Sequence, residues 1–295
     1  MPHSHKHNDF QVAGRLLWRS VVRCFEDNTP MIAAAVSFYT ILSLTPALWV
    51  IITATGAIVG AESARARVFQ WSADAMGTQA ANFVRLAMDR AQETTPLATA
   101  IGIIWLLSSA TLAFGALYDG LNVIWRAHPP AGRGLIRTFV VKRGIAFLLI
   151  LFLGVLVVAS LLTSTILGTI SDVMPTVLPA PHILLQLANL LISVGMITLL
   201  FAAIFRLLHD AAIASHDVWV GAIVTALFFE AGKILIAVYL SNAPITSLYG
   251  AAGSLAALML WVYCSAQIVL FGAAFTEQYA RQRHFAQGPK RRISG

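Results

Sequence analysis

The chain has 295 residues, 58% of them hydrophobic and 11% charged, with a net charge of +7 at pH 7. Soluble domains carry about 25% charged residues. This chain has too little polar surface to cover itself in water, so an all-α integral membrane protein is the expected class. The positive charge invites a nucleic-acid reading, which its placement along the chain argues against.

Residues 1–30 are read as an N-terminal segment outside the membrane. They hold Lys6, Arg15, Arg19, Arg23, Glu26 and Asp27, with no short apolar run followed by small residues. No cleavable signal is therefore expected, and the first apolar segment is read as a retained span. The cluster "HSHKHND" gathers His3, His5 and His7. Metal ligands need a rigid scaffold and supporting hydrogen bonds, so no metal or other cofactor is assigned there. Cys24 and Cys264 are far apart in the chain, which indicates neither a disulfide framework nor a metal-binding pair.

A bilayer core about 30 Å thick takes about 20 apolar residues in helical form. Six runs qualify: Met31–Gly60, Leu97–Tyr118, Gly144–Ser171, Ile183–Phe205, Val218–Leu240 and Ile245–Thr276. They are continuously apolar rather than alternating, which favours helices over a barrel. Residues 31–276 thus read as one six-helix membrane domain, followed by a basic tail, 277–295. Between the first two spans, Ala61–Thr95 is polar, and Phe83, Leu86, Ala87 and Arg90 recur at helical spacing. Arg85 and Asp89 form an i, i+4 pair on another side. One or two amphipathic helices are expected here on the outer face, serving either as a cap over the bundle or as a lid.

Orientation follows from lysine and arginine in the flanks. One side carries Lys6, Arg15, Arg19 and Arg23; Arg126, Arg133, Arg137, Lys142 and Arg143; Arg206; and Arg281, Arg283, Lys290, Arg291 and Arg292. The other carries only Arg65, Arg67, Arg85 and Arg90. Fifteen against four places both termini in the cytoplasm. The basic excess is then a topology signal with attraction to anionic headgroups, and no nucleic-acid partner is expected.

Polar residues inside the spans are the candidate functional positions. Pro46 removes the backbone bond to the Leu42 carbonyl, and the Ser43 and Thr45 hydroxyls are placed to re-satisfy or bend the freed backbone. The break reads as a packing kink or as a hinge. "GAIVG", Gly56–Gly60, and "YGAAGSLAA", Tyr249–Ala257, have the small-residue spacing of close helix packing, with a homodimer contact left open. In "YDGLNVIWR", Asp119, Asn122 and Arg126 fall at i, i+3 and i+7 on one helical face, and Trp125 and Arg126 suit an interfacial anchor. This cluster is either a structural network or a gate or headgroup site. Gln186, Asn189 and Gln267 are amides of the kind that bond across helices or line a polar cavity.

The sharpest feature is "TALFFEAGKILIAVYL", Thr225–Leu240, which carries Glu230 near mid-span and Lys233 one turn onward. An ionised group at that depth costs at least roughly 2.5–3.5 kcal/mol. Lys233 is about seven residues, roughly 10 Å of helix rise, from the end of the run. An internal ion pair or a substrate or proton site accounts for the two residues better than snorkelling does.

The strings "AAAVSFYTILSLTPAL", "DGLNVIW", "LFFEAGKILIAVYL", "SLYGAAGSLAALMLWVY" and "LFGAAFTEQYA", in this order from roughly Arg19 to Arg283, resemble the YihY/BrkB family of bacterial inner-membrane proteins. The resemblance implies six spans with both termini inside and a multi-pass inner-membrane location. It brings no catalytic residues; the matching polar positions are Asp119, Asn122, Glu230, Lys233 and Glu277. Members have carried the label ribonuclease BN, but the terminal histidines lack the continuation of a His-x-His-x-Asp-His metal motif, and an enzyme is not expected. The expected function is a transporter or lipid or solute translocator of unknown substrate, driven without ATP. The alternatives are a non-transporting scaffold or envelope regulator and, last, a ribonuclease.

Overall fold

The computed structural model describes residues 4–91, 96–127, 144–145, 148–149, 152, 156, 181–208, 214–242 and 251–286. Among them the regular structure is entirely helical: α1 Ser4–Glu26, α2 Thr29–Val59, α3 Ala61–Met76, α4 Thr78–Ala91, α5 Pro96–Ile124, α6 Pro181–Leu207, α7 Ser215–Asn242 and α8 Ala251–Ala286. Five of these are long and apolar enough to cross a membrane, over Thr29–Thr53, Ile104–Ile124, Leu190–Leu207, Ser215–Leu240 and Ala252–Arg283. They correspond to the first, second, fourth, fifth and sixth expected spans. The third, Gly144–Ser171, lies mostly outside the described residues, as do 245–250 at the start of the sixth.

Local chemistry sets the helix ends. Asn28 adopts the left-handed conformation (φ 53°, ψ 35°), which asparagine tolerates better than most residues, and Pro30 follows in the first turn of α2. Gly60 and Gly77, at φ 87° and 83°, join α2 to α3 and α3 to α4 in conformations that a Cβ disfavours. Gly56 and Gly60 therefore shape a corner: the Gly60 N–H donates to the Gly56 carbonyl, and a Cβ on Gly56 would meet Ala61 Cα at 3.2 Å. The expected packing face is a turn because Gly60 leaves the helix. Residues 277–286 continue α8, so the basic tail begins as helix.

The chain divides into two compact units. One comprises Asn28–Gly120 and Phe229–Leu270. Its core gathers Leu48, Met76, Ala80, Val84, Ala87, Met88, Leu240, Ala257 and Leu258. Helix α3 contributes Met76 to it, and α4 contributes Ala80, Val84, Ala87 and Met88, at the i, i+4, i+7, i+8 spacing of an amphipathic helix. Phe83 and Ala87 lie on that side, but Leu86 and Arg90 are exposed, because the true stripe is centred on Val84. Asp89 pairs with Arg65 (Nη2–Oδ1 3.8 Å) instead of the expected Arg85, and Arg65 Nη2 also donates to the Met88 carbonyl at 2.8 Å. Arg65 thus ties α3 to α4, and Trp261 Nε1 donates to the Ala75 carbonyl at 3.2 Å, tying α3 to α8.

The other unit comprises residues 1–27, Leu121–Phe228 and 271–295. Leu121, Ile124, Trp125, Phe201, Phe205 and Leu208 are buried in it. Trp125 stands edge-on to Phe205, its Nε1 donating to the Ala273 carbonyl at 2.9 Å. Here α7 and α8 meet through two matching strings, "GAIVT" (Gly221–Thr225) and "GAAFT" (Gly272–Thr276). Thr225 occupies the space beside Gly272, and Thr276 the space beside Gly221. Each threonine hydroxyl donates to the carbonyl of the glycine four residues before it, at 2.7 Å in both cases.

Candidate functional site

Helix α7 carries the expected charged pair. Between Val218 and Leu240 it carries no charged residue except Glu230 and Lys233, and it ends at Asn242, whose Nδ2 donates to the Val238 carbonyl at 2.7 Å. One turn of separation brings Lys233 Nζ to 2.8 Å from Glu230 Oε2. The side chains are 24% and 17% exposed, respectively, so the pair is neither sealed nor free. Beside it, Phe229 lies edge-on to Trp261 of α8 at 6.3 Å. Gly232, between the two charges, leaves room for Ile268 of α8, whose Cδ1 would clash with any Cβ there. The pair thus sits beside a tightly packed α7–α8 contact. Chemically, it presents one carboxylate and one ammonium in hydrogen-bonding contact, able to exchange each other for a charged or zwitterionic group.

The other expected residues fall into separate places. Gln267 is satisfied within the bundle: Thr29 Oγ1 donates to its Oε1 at 3.2 Å, and its Nε2 donates to the Tyr263 hydroxyl at 3.1 Å. This is the cross-helix amide role, α8 to α2. Gln186 and Asn189 lie on α6, with side chains outside the described residues. Helix α2 runs through Pro46 without interruption. The Ser43 hydroxyl donates to the Thr40 carbonyl at 2.8 Å, not to the Leu42 carbonyl that Pro46 leaves open, and Thr45 is exposed. Ser43 therefore does not repair the break; its hydroxyl reaches back three residues, past the Leu42 carbonyl.

At the end of α5, Asp119 is exposed and Asn122 half-buried. The helix stops at Ile124 and Arg126 turns left-handed (φ 49°), so it leaves the helical face it was expected to share. The Asn122 carbonyl accepts the Ala127 N–H at 3.0 Å, closing the end of the helix. Glu277 is buried, paired with Arg281 and accepting from Gln278 Nε2 at 2.9 Å. His3 is outside the described residues, and the side chains of His5 and His7 are not described. Among the described residues no group of three or more His, Cys, Asp or Glu is placed to hold a metal ion.

Two charged clusters were not anticipated. Asp217, 1% exposed in the first turn of α7, accepts Arg283 Nη1 of α8 at 2.9 Å and lies 3.5 Å from His216 Nδ1. An aspartate in a helix's first turn is a legible signal; its partner 66 residues on is not. Asp27 has Arg23 Nε at 2.8 Å, off the N–H axis, so the attraction is Coulombic rather than a directed hydrogen bond. Burial raises the Asp27 carboxyl above 3.8, Arg23 and Arg126 pull it back, and Glu26 pushes it further up.

The sequence is similar to known proteins over most of its length. A family model described as virulence factor BrkB matches residues 21–293. A UPF0761 membrane protein of Alteromonas mediterranea is 30% identical over 261 residues, covering 87% of this chain and 84% of that protein. A UPF0761 membrane protein of Pseudomonas aeruginosa is 29% identical over 258 residues, 85% of this chain but 59% of its own length. One of Actinobacillus pleuropneumoniae is 25% identical over 253 residues, covering 84% and 87%. No solved structure matches the chain.

Proposed function

The chain belongs to the BrkB family of membrane proteins, and from that footing we propose that it is a translocator of a lipid or small solute in the bacterial inner membrane. In this reading it crosses the bilayer six times, the apolar run Gly144–Ser171 supplying the span beyond the five long apolar helices, with both termini cytoplasmic. The distribution of arginine and lysine supports that orientation. Helices α3 and α4 then sit on the outer face, where their shared apolar core with Leu48, Leu240 and Leu258 favours a fixed cap over a loose lid. The reading assigns no catalysis to the chain.

One observation carries the proposal: the Glu230–Lys233 pair at 2.8 Å, partly open, in the middle of a membrane-spanning helix. Ionisable residues at such depth are costly and mark pathways for ions, protons or substrates. Two charged side chains at mid-span, where apolar residues would pack the bundle at lower cost, support a pathway role. Pure protein in liposomes, assayed for lipid scrambling and for ion and solute flux, tests it. Loss of flux in Glu230→Gln with the fold retained is the expected result, and full flux in that variant sinks the site.

The second reading, a non-transporting scaffold, draws on the reciprocal fit of Thr225 against Gly272 and Thr276 against Gly221, which locks α7 to α8. Absence of flux in both wild type and variant, across a broad panel of substrates, favours it.

A further inference from the structure

Helix α1 presents two stripes on opposite sides. Leu16, Ser20, Arg23 and Cys24 are buried, at the i, i+4, i+7, i+8 spacing of one helical face. Trp18, Val22 and Phe25 repeat at i, i+4, i+7 but are exposed, Trp18 and Phe25 at 68% and 70%. At 3.6 residues per turn the two stripes lie roughly 180° apart. Single apolar residues on a surface need no explanation, but three large ones aligned along a helix form a patch that does.

What covers the patch follows from its setting. Only Asp27 and Asn28 separate α1 from the first membrane-spanning segment, Thr29–Thr53, a link that reaches no more than about 10 Å. Arg15 and Arg19, exposed and one turn apart, border the apolar stripe about 70° around the helix from its centre. With Leu16 and Gln282 of α8 they line a cavity of about 70 Å³. That space holds several waters, hence a phosphate group. Two guanidinium forks and an amide donor suit phosphate oxygens. An apolar face bordered by arginines is the pattern of a helix lying in the plane of an anionic membrane.

We infer that α1 is a membrane-surface helix. The Trp18–Val22–Phe25 stripe sits at the headgroup–acyl boundary of the leaflet on the N-terminal side, and Arg15, Arg19 and Gln282 hold the phosphate of an anionic phospholipid. The inference rests on the chain being a membrane protein and is independent of transport.

Two measurements on the full chain test it. In the first, Cys24→Ser/Cys264→Ser protein carries a nitroxide at Val22→Cys or Phe25→Cys, in nanodiscs of phosphatidylcholine with phosphatidylglycerol. Both labels are expected to collide with oxygen more often than with a water-soluble nickel complex. The reverse order, or dipolar broadening from a second copy on the stripe, overturns the inference. The second keeps the native cysteines and titrates phosphatidylglycerol against phosphatidylcholine by native mass spectrometry. Wild type is expected to prefer phosphatidylglycerol, and Arg15→Gln/Arg19→Gln to bind it about 25-fold more weakly, about fivefold per arginine. Equal retention of the two lipids, an unchanged double variant, or displacement of the lipid by inorganic phosphate alone overturns the headgroup site.

Discussion

Thr225 of α7 fills the space that a side chain on Gly272 of α8 would need, and its hydroxyl is held there by the Gly221 carbonyl of its own helix at 2.7 Å. The neighbour in the way is a β-branched side chain, stiff at χ1, and not the end of a flexible one. Gly272→Ala is therefore expected to lower stability by about 1–3 kcal/mol through overpacking. A Cβ on Gly115 of α5 meets nothing within 4 Å, so Gly115→Ala is expected to be neutral or stabilising by up to about 1 kcal/mol. Thermal unfolding of both variants in one detergent checks the contrast; equal midpoints would refute the interlock.

The Glu230–Lys233 contact predicts a non-additive pair. Glu230→Gln leaves the Lys233 ammonium without its carboxylate, and Lys233→Met leaves the carboxylate without its cation. Partial exposure moderates the penalty, so each is expected to cost about 1–3 kcal/mol. The double variant, with no stranded charge, is expected to be less damaged than the sum of the two. A double-mutant cycle on unfolding midpoints measures the coupling. Additive costs would show that the two charges do not depend on each other.

The contrast between these two sites marks how far the sequence is legible. Glu230 and Lys233 were readable because both lie on one helix, where i, i+3 spacing alone brings them together. Five of the six expected spans were readable for the same reason: an uninterrupted apolar run needs no partner to be recognised. Gln267 was recognisable as a cross-helix amide, but its donor, Thr29, is 238 residues away and no spacing rule reaches that far. "GAIVG" and "GAIVT" look alike as strings, yet the first makes a corner at Gly60 and the second packs against α8. What separates them is a positive φ angle and the identity of the facing helix. Arg126 shows the same limit at shorter range, since continuing the heptad past Ile124 assumed a helix that had ended.

Asp27 predicts a pH effect. Burial raises its carboxyl above 3.8 in the folded protein, against the pull of Arg23 and Arg126. The folded state then binds more protons than the unfolded state in the window above 3.8, so this group favours the fold at low pH and loses that contribution as pH rises through the raised value. Relative to Asp27→Asn, which does not titrate, wild type is expected to lose stability from about pH 4 upward and then level off. Unfolding midpoints of the two proteins between pH 3.5 and 7 give the difference. A wild type that gains on the variant over that range would show that the arginines outweigh burial.

Asp217 and Arg283 make the stronger electrostatic prediction because one partner is fully enclosed. The carboxylate is 1% exposed, with Arg283 Nη1 at 2.9 Å and His216, itself exposed, at 3.5 Å. Removing the arginine strands a buried charge, a loss of about 3–5 kcal/mol when no substitute is at hand. His216 and the first-turn N–H groups of α7 offset part of it, so Arg283→Gln is expected to cost about 2–4 kcal/mol. Asp217→Asn in the same chain removes the stranded charge and is expected to restore more than half of that loss. If Arg283→Gln alone leaves the unfolding midpoint in place, His216 and the helix terminus suffice for Asp217, and the link from α8 to the start of α7 is dispensable. If the second substitution deepens the loss, the aspartate is held by contacts other than the arginine.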